Sequence, residues 1–252
     1  MAADPFSRTR LMLGDEALET LHNSRVILFG LGGVGCFAAE ALARCGVGAI
    51  DLVDDDVYSV SNLNRQLYAT RSTLGMKKTE AAAARIREIA PDCRVALHNV
   101  FFLPETKELF DFSLYDYVID AIDTVTAKLA LIEAAKRAGV KVISCMGTGK
   151  KTDPSLLRVS LLSETSIDPL ARVMRKECAK RGIGDVKVVY STEKPLPMRG
   201  TAQEEAPPAS STRKAPSRRD VPGSCVFVPG SAGLLLASEV VRDLIGFSSK
   251  KN

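Results

Sequence analysis

The sequence has no tryptophan and only two histidines, His22 and His98, among 252 residues. Neither histidine stands beside a serine or cysteine in a nucleophile motif, which argues against Ser-His-Asp and Cys-His enzymes. Six cysteines (Cys36, Cys45, Cys93, Cys145, Cys178 and Cys225) are scattered without one C-x-x-C pair. Structural zinc takes its thiolates in close pairs, so no zinc site is expected. No apolar run follows a basic start, so no secretory signal is expected, and the thiols read as reduced in a cytoplasmic protein. The long apolar stretch near the C-terminus, Gly230 to Gly246, carries Glu239, Arg242 and Asp243, too much charge for a membrane span. The net charge of +4 is small. It permits a polyanionic partner without requiring one.

What is present centres on residues 26–35. Four apolar residues, Val26-Ile27-Leu28-Phe29, read as a buried strand, and Gly30-Leu31-Gly32-Gly33-Val34-Gly35 turns directly into a helix that runs from Cys36 to Arg44. Glycines at a strand-to-helix turn expose backbone N–H groups at a positive helix end, which suits a phosphate. Residues 1–24 read as an amphipathic lead-in carried by Leu11, Leu13, Leu18 and Leu21. Further strands are expected at 49–54, 94–102, 117–121 and 141–145, with helices at 77–89 and 124–138 between them. This alternation predicts an α/β chain built on a doubly wound, Rossmann-like sheet. Residues 1–150 would form the nucleotide-binding core of a single adenylating domain. Residues 151–252 would form a mixed extension with a strand at 157–162, a helix at 169–181, a strand at 186–190, a flexible loop at 195–223, a strand at 224–228 and a helix at 231–245.

Ligands of such sheets bind beyond the carboxyl ends of the strands. Gly30, Gly32, Gly33, Gly35, Asp54 and Asp123 all fall there, so one site can collect them. Asp54 stands 19 residues past Gly35, where an acid can hold a ribose. Asn62, Arg65 and Gln66 follow in the next loop, and Lys78 comes in the first turn of the next helix. Arg65 and Lys78, each alone, read as ordinary surface charges. Beside a glycine cradle they suit a triphosphate better than a dinucleotide, because phosphate oxygens need charge-assisted donors. Asp123 then fits a Mg²⁺ ligand, whereas Asp120 reads more readily as a cap for its turn. Gly147-Thr148-Gly149-Lys150-Lys151-Thr152 is not a P-loop, since the first glycine is absent and Lys151 stands where Ser or Thr belongs.

The ordered set of glycine turn, Asp54, Asn62-Leu63-Asn64-Arg65-Gln66, Lys78 and Asp120-Ala121-Ile122-Asp123 resembles the ubiquitin-activating-enzyme-like, ThiF-type adenylating superfamily over roughly residues 10–150. The resemblance implies that Asp54 holds the ATP ribose, Asn62 and Arg65 contact the nucleotide, and Gln66 supports that loop. It implies that Lys78 meets the phosphates and Asp123 organises Mg²⁺. It also implies a homodimer in which an N-terminal arginine, Arg10 or alternatively Arg8, reaches the partner's ATP. Such enzymes activate a carboxylate, which is already ionised at neutral pH and needs no histidine base.

Within that superfamily the sequence resembles the group that dehydrates threonylcarbamoyladenosine in tRNA. Gly147-Thr148-Gly149 with Asp153-Pro154, Asp168-Pro169-Leu170-Ala171 and Val188-Val189-Tyr190-Ser191-Thr192-Glu193 carry this likeness into the second half. The alternative is activation of a ubiquitin-like sulfur carrier, whose bacterial enzymes usually carry two C-x-x-C pairs. Arg172, Arg175, Lys176 and Lys180 on one helix, with Arg213, Lys214, Arg218 and Arg219 in the loop, suit a tRNA backbone. A solvated helix face and a charged linker account for them equally well. Some members of the group carry a cysteine where this chain has Val189, which puts a thioester or persulfide step in doubt and leaves sulfur-transfer partner proteins open. Cys225 reads as buried and inert. A monovalent cation near Gly147–Gly149 is left open too.

Overall fold

The computed structural model describes residues 4–200 and 222–247. Seven strands form one sheet in the order β3-β2-β1-β4-β5-β7-β6. They are β1 (Arg25–Phe29), β2 (Ala49–Val53), β3 (Arg94–His98), β4 (Tyr117–Asp120), β5 (Lys141–Cys145), β6 (Leu157–Leu161) and β7 (Lys187–Ser191). All neighbours are parallel except β6, which pairs antiparallel with β7. This is the expected doubly wound α/β sheet, and the strands beyond residue 150 extend it. The order reverses between β2 and β4 on either side of β1, so the carboxyl end of β1 is the crevice where such sheets bind ligands.

Strand periodicity sorts the core onto two faces. Val26 and Leu28 of β1 join one apolar cluster, and Ile27 and Phe29 join the other. The first face is covered by α2 (Asp15–Asn23), α3 (Gly35–Arg44), α4 (Lys78–Ile89) and α7 (Phe227–Leu244). The second is covered by α5 (Val125–Arg137), α6 (Pro169–Lys180) and an aromatic group in which Phe29 lies 4.8 Å from Phe102 and 5.2 Å from Phe110 between ring centres.

Three expectations need correction. The lead-in is two helices, α1 (Ser7–Leu13) and α2, broken at Gly14. Leu18 and Leu21 are buried and Phe6 and Leu13 pack against the same cluster, but Leu11 is 89% exposed, so the expected apolar stripe holds at every position except Leu11. The strand expected at 224–228 does not form, and α7 instead begins at Phe227. Cys-Val-Phe-Val reads as a strand by composition, but packing decides otherwise. A Cβ on Gly233 would stand 2.2 Å from Val34 O, so α7 lies against α3 closely enough to require glycine there. Pro229 falls in the first helical turn, where its missing N–H costs nothing. The strand expected at 94–102 ends at His98.

A polar group is buried in β2. Asp51, in the middle of β2 and 2% exposed, accepts hydrogen bonds from Arg25 (2.9 and 3.1 Å) and Tyr115 Oη (2.9 Å), and His98 Nε2 lies 3.0 Å away. Burial pushes its pKa up, but these bonds outweigh burial and hold it at about 2. A depressed folded-state pKa contributes stability that is full above the unfolded value of about 3.9 and is lost as pH falls through the folded value. Asp51→Asn is therefore expected to remove part of the acid sensitivity. The drop in urea midpoint between about pH 5 and about pH 2.5 should shrink in the variant. An undiminished drop would show that other carboxylates set the acid limit.

Candidate active site

The glycine turn is dictated by contacts on both sides. Gly30 has φ +90°, and a Cβ there would stand 2.7 Å from Ala121 O, so β1 and the end of β4 close on each other only through glycine. A Cβ on Gly35 would stand 1.8 Å from Gly30 O. Gly32 is different, because a Cβ there would meet nothing within 4 Å. The chain does not need glycine at 32 for its own packing, and that position faces open space. The start of α3 has no side-chain cap; Cys36 N donates to Gly32 O at 3.2 Å, while the positive helix end stays available to an anion.

Asp54 follows directly on β2. Its Oδ2 accepts from Leu31 N (2.7 Å) and its Oδ1 from Asp56 N (2.9 Å), so the carboxylate shapes the glycine turn while keeping further lone pairs. Arg65 is half-buried against the turn, its Cγ 3.5 Å from where a Gly33 Cβ would be. Its Nη1 donates to Ser61 O and Asn64 Oδ1 at 2.9 and 3.0 Å, and among the described residues no carboxylate pairs with it. Burial lowers its pKa, the mark of a cation held without a counter-charge.

Lys78 is placed differently from a free cation. It is 5% exposed, it donates to Asp56 Oδ2 at 2.9 Å, and its Nζ stands 6.0 Å over the Tyr58 ring. Asn62 Oδ1 accepts from Ser59 N (3.2 Å) and so caps a short 3₁₀ turn at Val60–Asn62. Gln66 is buried, and its Oε1 has no partner among the described residues; the same holds for the hydroxyls of Tyr58 and Tyr68. Buried oxygens of this kind need a water or ligand to satisfy them.

Asp120 and Asp123 part company. Asp120 is fully buried and bonded to Lys128 Nζ (3.0 Å), Ser144 Oγ (2.5 Å) and Ile122 N (3.1 Å). Asp123 is exposed beyond β4, with Thr124 Oγ1 at 3.3 Å. Among the described residues no three acidic, histidine or cysteine side chains are grouped to hold a metal. Arg10 is in α1, in ion pairs with Asp4 (3.1 Å) and Asp15, while Arg8 is exposed.

The crevice thus holds an open glycine turn, an arginine with no carboxylate partner among the described residues and an exposed carboxylate beyond β4, and a ThiF family profile matches the chain across residues 6–252. The chain belongs to the ThiF family. The "tRNA threonylcarbamoyladenosine dehydratase" of Bacillus subtilis is 44% identical over 95% of this chain and 94% of its own length. The crystal structure of the Escherichia coli tRNA N6-threonylcarbamoyladenosine dehydratase with AMP superposes with a TM-score of 0.84 at 33% identity, covering 96% of this chain and 94% of that one. The same enzyme with ATP gives 0.81 at 32% identity, covering 98% and 96%.

The ThiF-family sheet also carries charged groups that sequence reasoning missed. Lys128 is buried, and its Nζ bonds Asp120, Ser144 Oγ (3.2 Å) and Cys145 O (2.7 Å). Its spacing from Leu131 and Ile132 placed it on the apolar stripe of α5, and that was the available signal. Lys151 and Asp168 form a second buried pair at 2.5 Å. Of the basic face expected on α6, Arg175 is turned inward onto Thr165 O (2.7 Å), and Lys180 pairs with Glu177 (2.8 Å). Only Arg172 and Lys176 of that set stay exposed and unpaired among the described residues. Arg213, Lys214, Arg218 and Arg219 lie outside the described residues. Cys225 is half-buried in no strand, its Sγ 3.9 Å from Lys151 O, which corrects the expectation of a buried strand cysteine. Burial pushes Cys36 and Cys93 up to about 11 and Cys145 to about 12, so these are neutral thiols.

Among the described residues no helix is long and apolar enough to cross a membrane.

Proposed function

We propose that this chain is an ATP-dependent dehydratase that closes N6-threonylcarbamoyladenosine in tRNA into a cyclic form by adenylating the threonyl carboxylate. The observation that carries the reading is the likeness to the Bacillus subtilis dehydratase along almost the whole of both chains, at 44% identity. The crevice is consistent with it, offering a glycine turn at a helix start and a cation, Arg65.

The substrate carboxylate attacks the α-phosphorus of ATP. The bond to the β-phosphate breaks and pyrophosphate leaves, with no proton to remove because the carboxylate is ionised. The neighbouring carbamoyl group then attacks the acyl carbon and gives up its proton to solvent, the acyl–phosphate bond breaks, and AMP leaves with the carboxylate oxygen, so the nucleoside loses one water overall. The chain's work is positioning and charge neutralisation. Gly32, Gly33 and the first turn of α3 receive phosphate oxygens, Arg65 neutralises them from the side, and Asp54 binds the ribose with its spare lone pairs. Asn62 has its amide nitrogen left to donate, and Gln66 packs beneath the loop. Lys78 reaches phosphate by exchanging Asp56 for it. Exposed Asp123 fits Mg²⁺, which is held by one or two carboxylates with phosphate and water oxygens completing its shell. That ion supplies charge neutralisation at the phosphates.

The active form is a homodimer in the cytoplasm. An arginine of α1 serves the partner's site. Arg10 must leave Asp4 and Asp15 to do so, whereas Arg8 has no such pairing among the described residues.

Incubation with ATP, Mg²⁺ and tRNA carrying threonylcarbamoyladenosine should lower the nucleoside mass by one water and release AMP and pyrophosphate. AMP formation on a ubiquitin-like protein with the tRNA mass unchanged would instead establish the carrier-activating reaction. The cradle is tested by two glycines. Gly32→Ala and Gly35→Ala should both weaken ATP binding in calorimetric titration, but only Gly35→Ala should also lower the melting temperature, because only its methyl meets backbone. Unaltered ATP affinity in Gly32→Ala would place the phosphates elsewhere.

A further inference from the structure

Among the described residues only two besides glycine have left-handed backbone, Lys150 (φ 61°) and Ile167 (φ 64°). They flank the two members of the buried Lys151–Asp168 pair, one residue before each. Lys151 Nζ also donates to Gly147 O at 2.7 Å, and Asp168 Oδ1 accepts from Ala171 N at 2.8 Å as the cap of α6. The pair thus ties the turn beyond β5 to the start of α6. The Lys150 backbone is fixed from two further sides, its N–H donating to Gly223 O and its carbonyl accepting from Leu196 N, both at 2.7 Å. A lysine is an unfavourable choice for such a backbone, where glycine or asparagine is preferred. Strained residues of this kind persist where the surroundings over-determine them, and they cluster at functional sites.

The Lys150 side chain is half-buried, and its ammonium pairs with no carboxylate among the described residues. It stands beyond the carboxyl end of β5, the strand beside β4, whose own end carries Asp123. Arg65 and Asp54 come from the opposite side of the crevice, after β2. The nucleotide side therefore already has its cation, and Lys150 serves the other side.

We propose that Lys150 is a substrate-binding residue that meets a backbone phosphate of the RNA strand and so aligns the modified nucleotide with the nucleotide crevice. The strained turn, held by the Lys151–Asp168 pair, fixes the backbone from which the Lys150 side chain extends. This assignment rests on the tRNA dehydratase reading above.

The test compares wild type with Lys150→Gly, Lys150→Asn and Lys150→Arg by the mass assay, across a salt series. Glycine and asparagine both suit the backbone, so neither variant should fold poorly, and Lys150→Gly should melt no lower than wild type. Both should raise KM for tRNA about tenfold with kcat and ATP affinity little changed. They should also reduce the slope of log(kcat/KM) against log[salt] by about 0.7, the loss of one phosphate contact to a single strand. Lys150→Arg should keep the wild-type slope. A salt slope and tRNA KM unaltered in Lys150→Gly would overturn the proposal while wild-type turnover stood. Absence of any mass change in wild type would instead remove the dehydratase reading itself.

Discussion

Arg65→Ala is expected to lower kcat/KM for ATP-dependent dehydration about 100- to 1,000-fold, the usual loss when one preorganised donor to a charged transition state is removed. The melting temperature should change little. Arg65 is half-buried beside Gly33 without a carboxylate partner among the described residues, so its removal leaves no orphaned buried acid. The two acceptors it satisfies, Ser61 O and Asn64 Oδ1, are in exposed positions where water can replace it. Burial of an uncountered guanidinium costs free energy, and Ala relieves that cost. Activity and stability should therefore move independently, which is how a binding cation differs from a structural one. Arg65→Lys should recover only part of the rate, because a point charge does not reproduce a planar fork. A variant that turns over normally would move the phosphates away from the glycine turn.

Asp120→Ala should do the reverse and act first on folding. It leaves Lys128 buried with only Ser144 Oγ and Cys145 O as acceptors and no opposite charge. Breaking one partner out of a buried pair typically costs about 3–5 kcal/mol, which for a chain of this size is a fall of roughly 6–20 °C in melting temperature. The double variant Asp120→Leu with Lys128→Met should regain part of the loss, since a buried pair replaced by apolar groups of similar volume is often near neutral. Scanning calorimetry of the single and double variants gives both numbers. A stable but inactive Asp120→Ala protein would reassign Asp120 from the fold to the metal.

These two residues show how much of the site the sequence carries. The glycine turn was legible because strand, turn and helix are consecutive, and Asp54 because its distance from the turn is short. Arg65 was legible as a motif member, but its contact with Gly33 joins residues from two loops. Asp120 and Asp123 are three residues apart in one acidic motif, and the sequence reads the first as a cap for its turn, which its bond from Ile122 N fits, but it does not show that Asp120 also faces Lys128. The partner that decides it, Lys128, is a helix residue that looks like a surface lysine until its stripe is drawn. The α6 face failed similarly. Spacing puts Arg172, Arg175, Lys176 and Lys180 together, yet Thr165 takes Arg175 inward and Glu177 engages Lys180.

By itself the sequence determined the α/β alternation, the mostly parallel doubly wound sheet and the glycine turn, because each is written in local periodicity and in glycines a few residues apart. Tertiary structure alone decided that residues 224–226 precede a helix, since that depends on how closely α7 approaches α3. It alone joined Lys151 to Asp168 and Lys128 to Asp120, pairs set by which strand ends and helices meet rather than by spacing. Around the glycine turn, the chain's local order makes the cradle, and long-range packing decides which charges are left free to fill it.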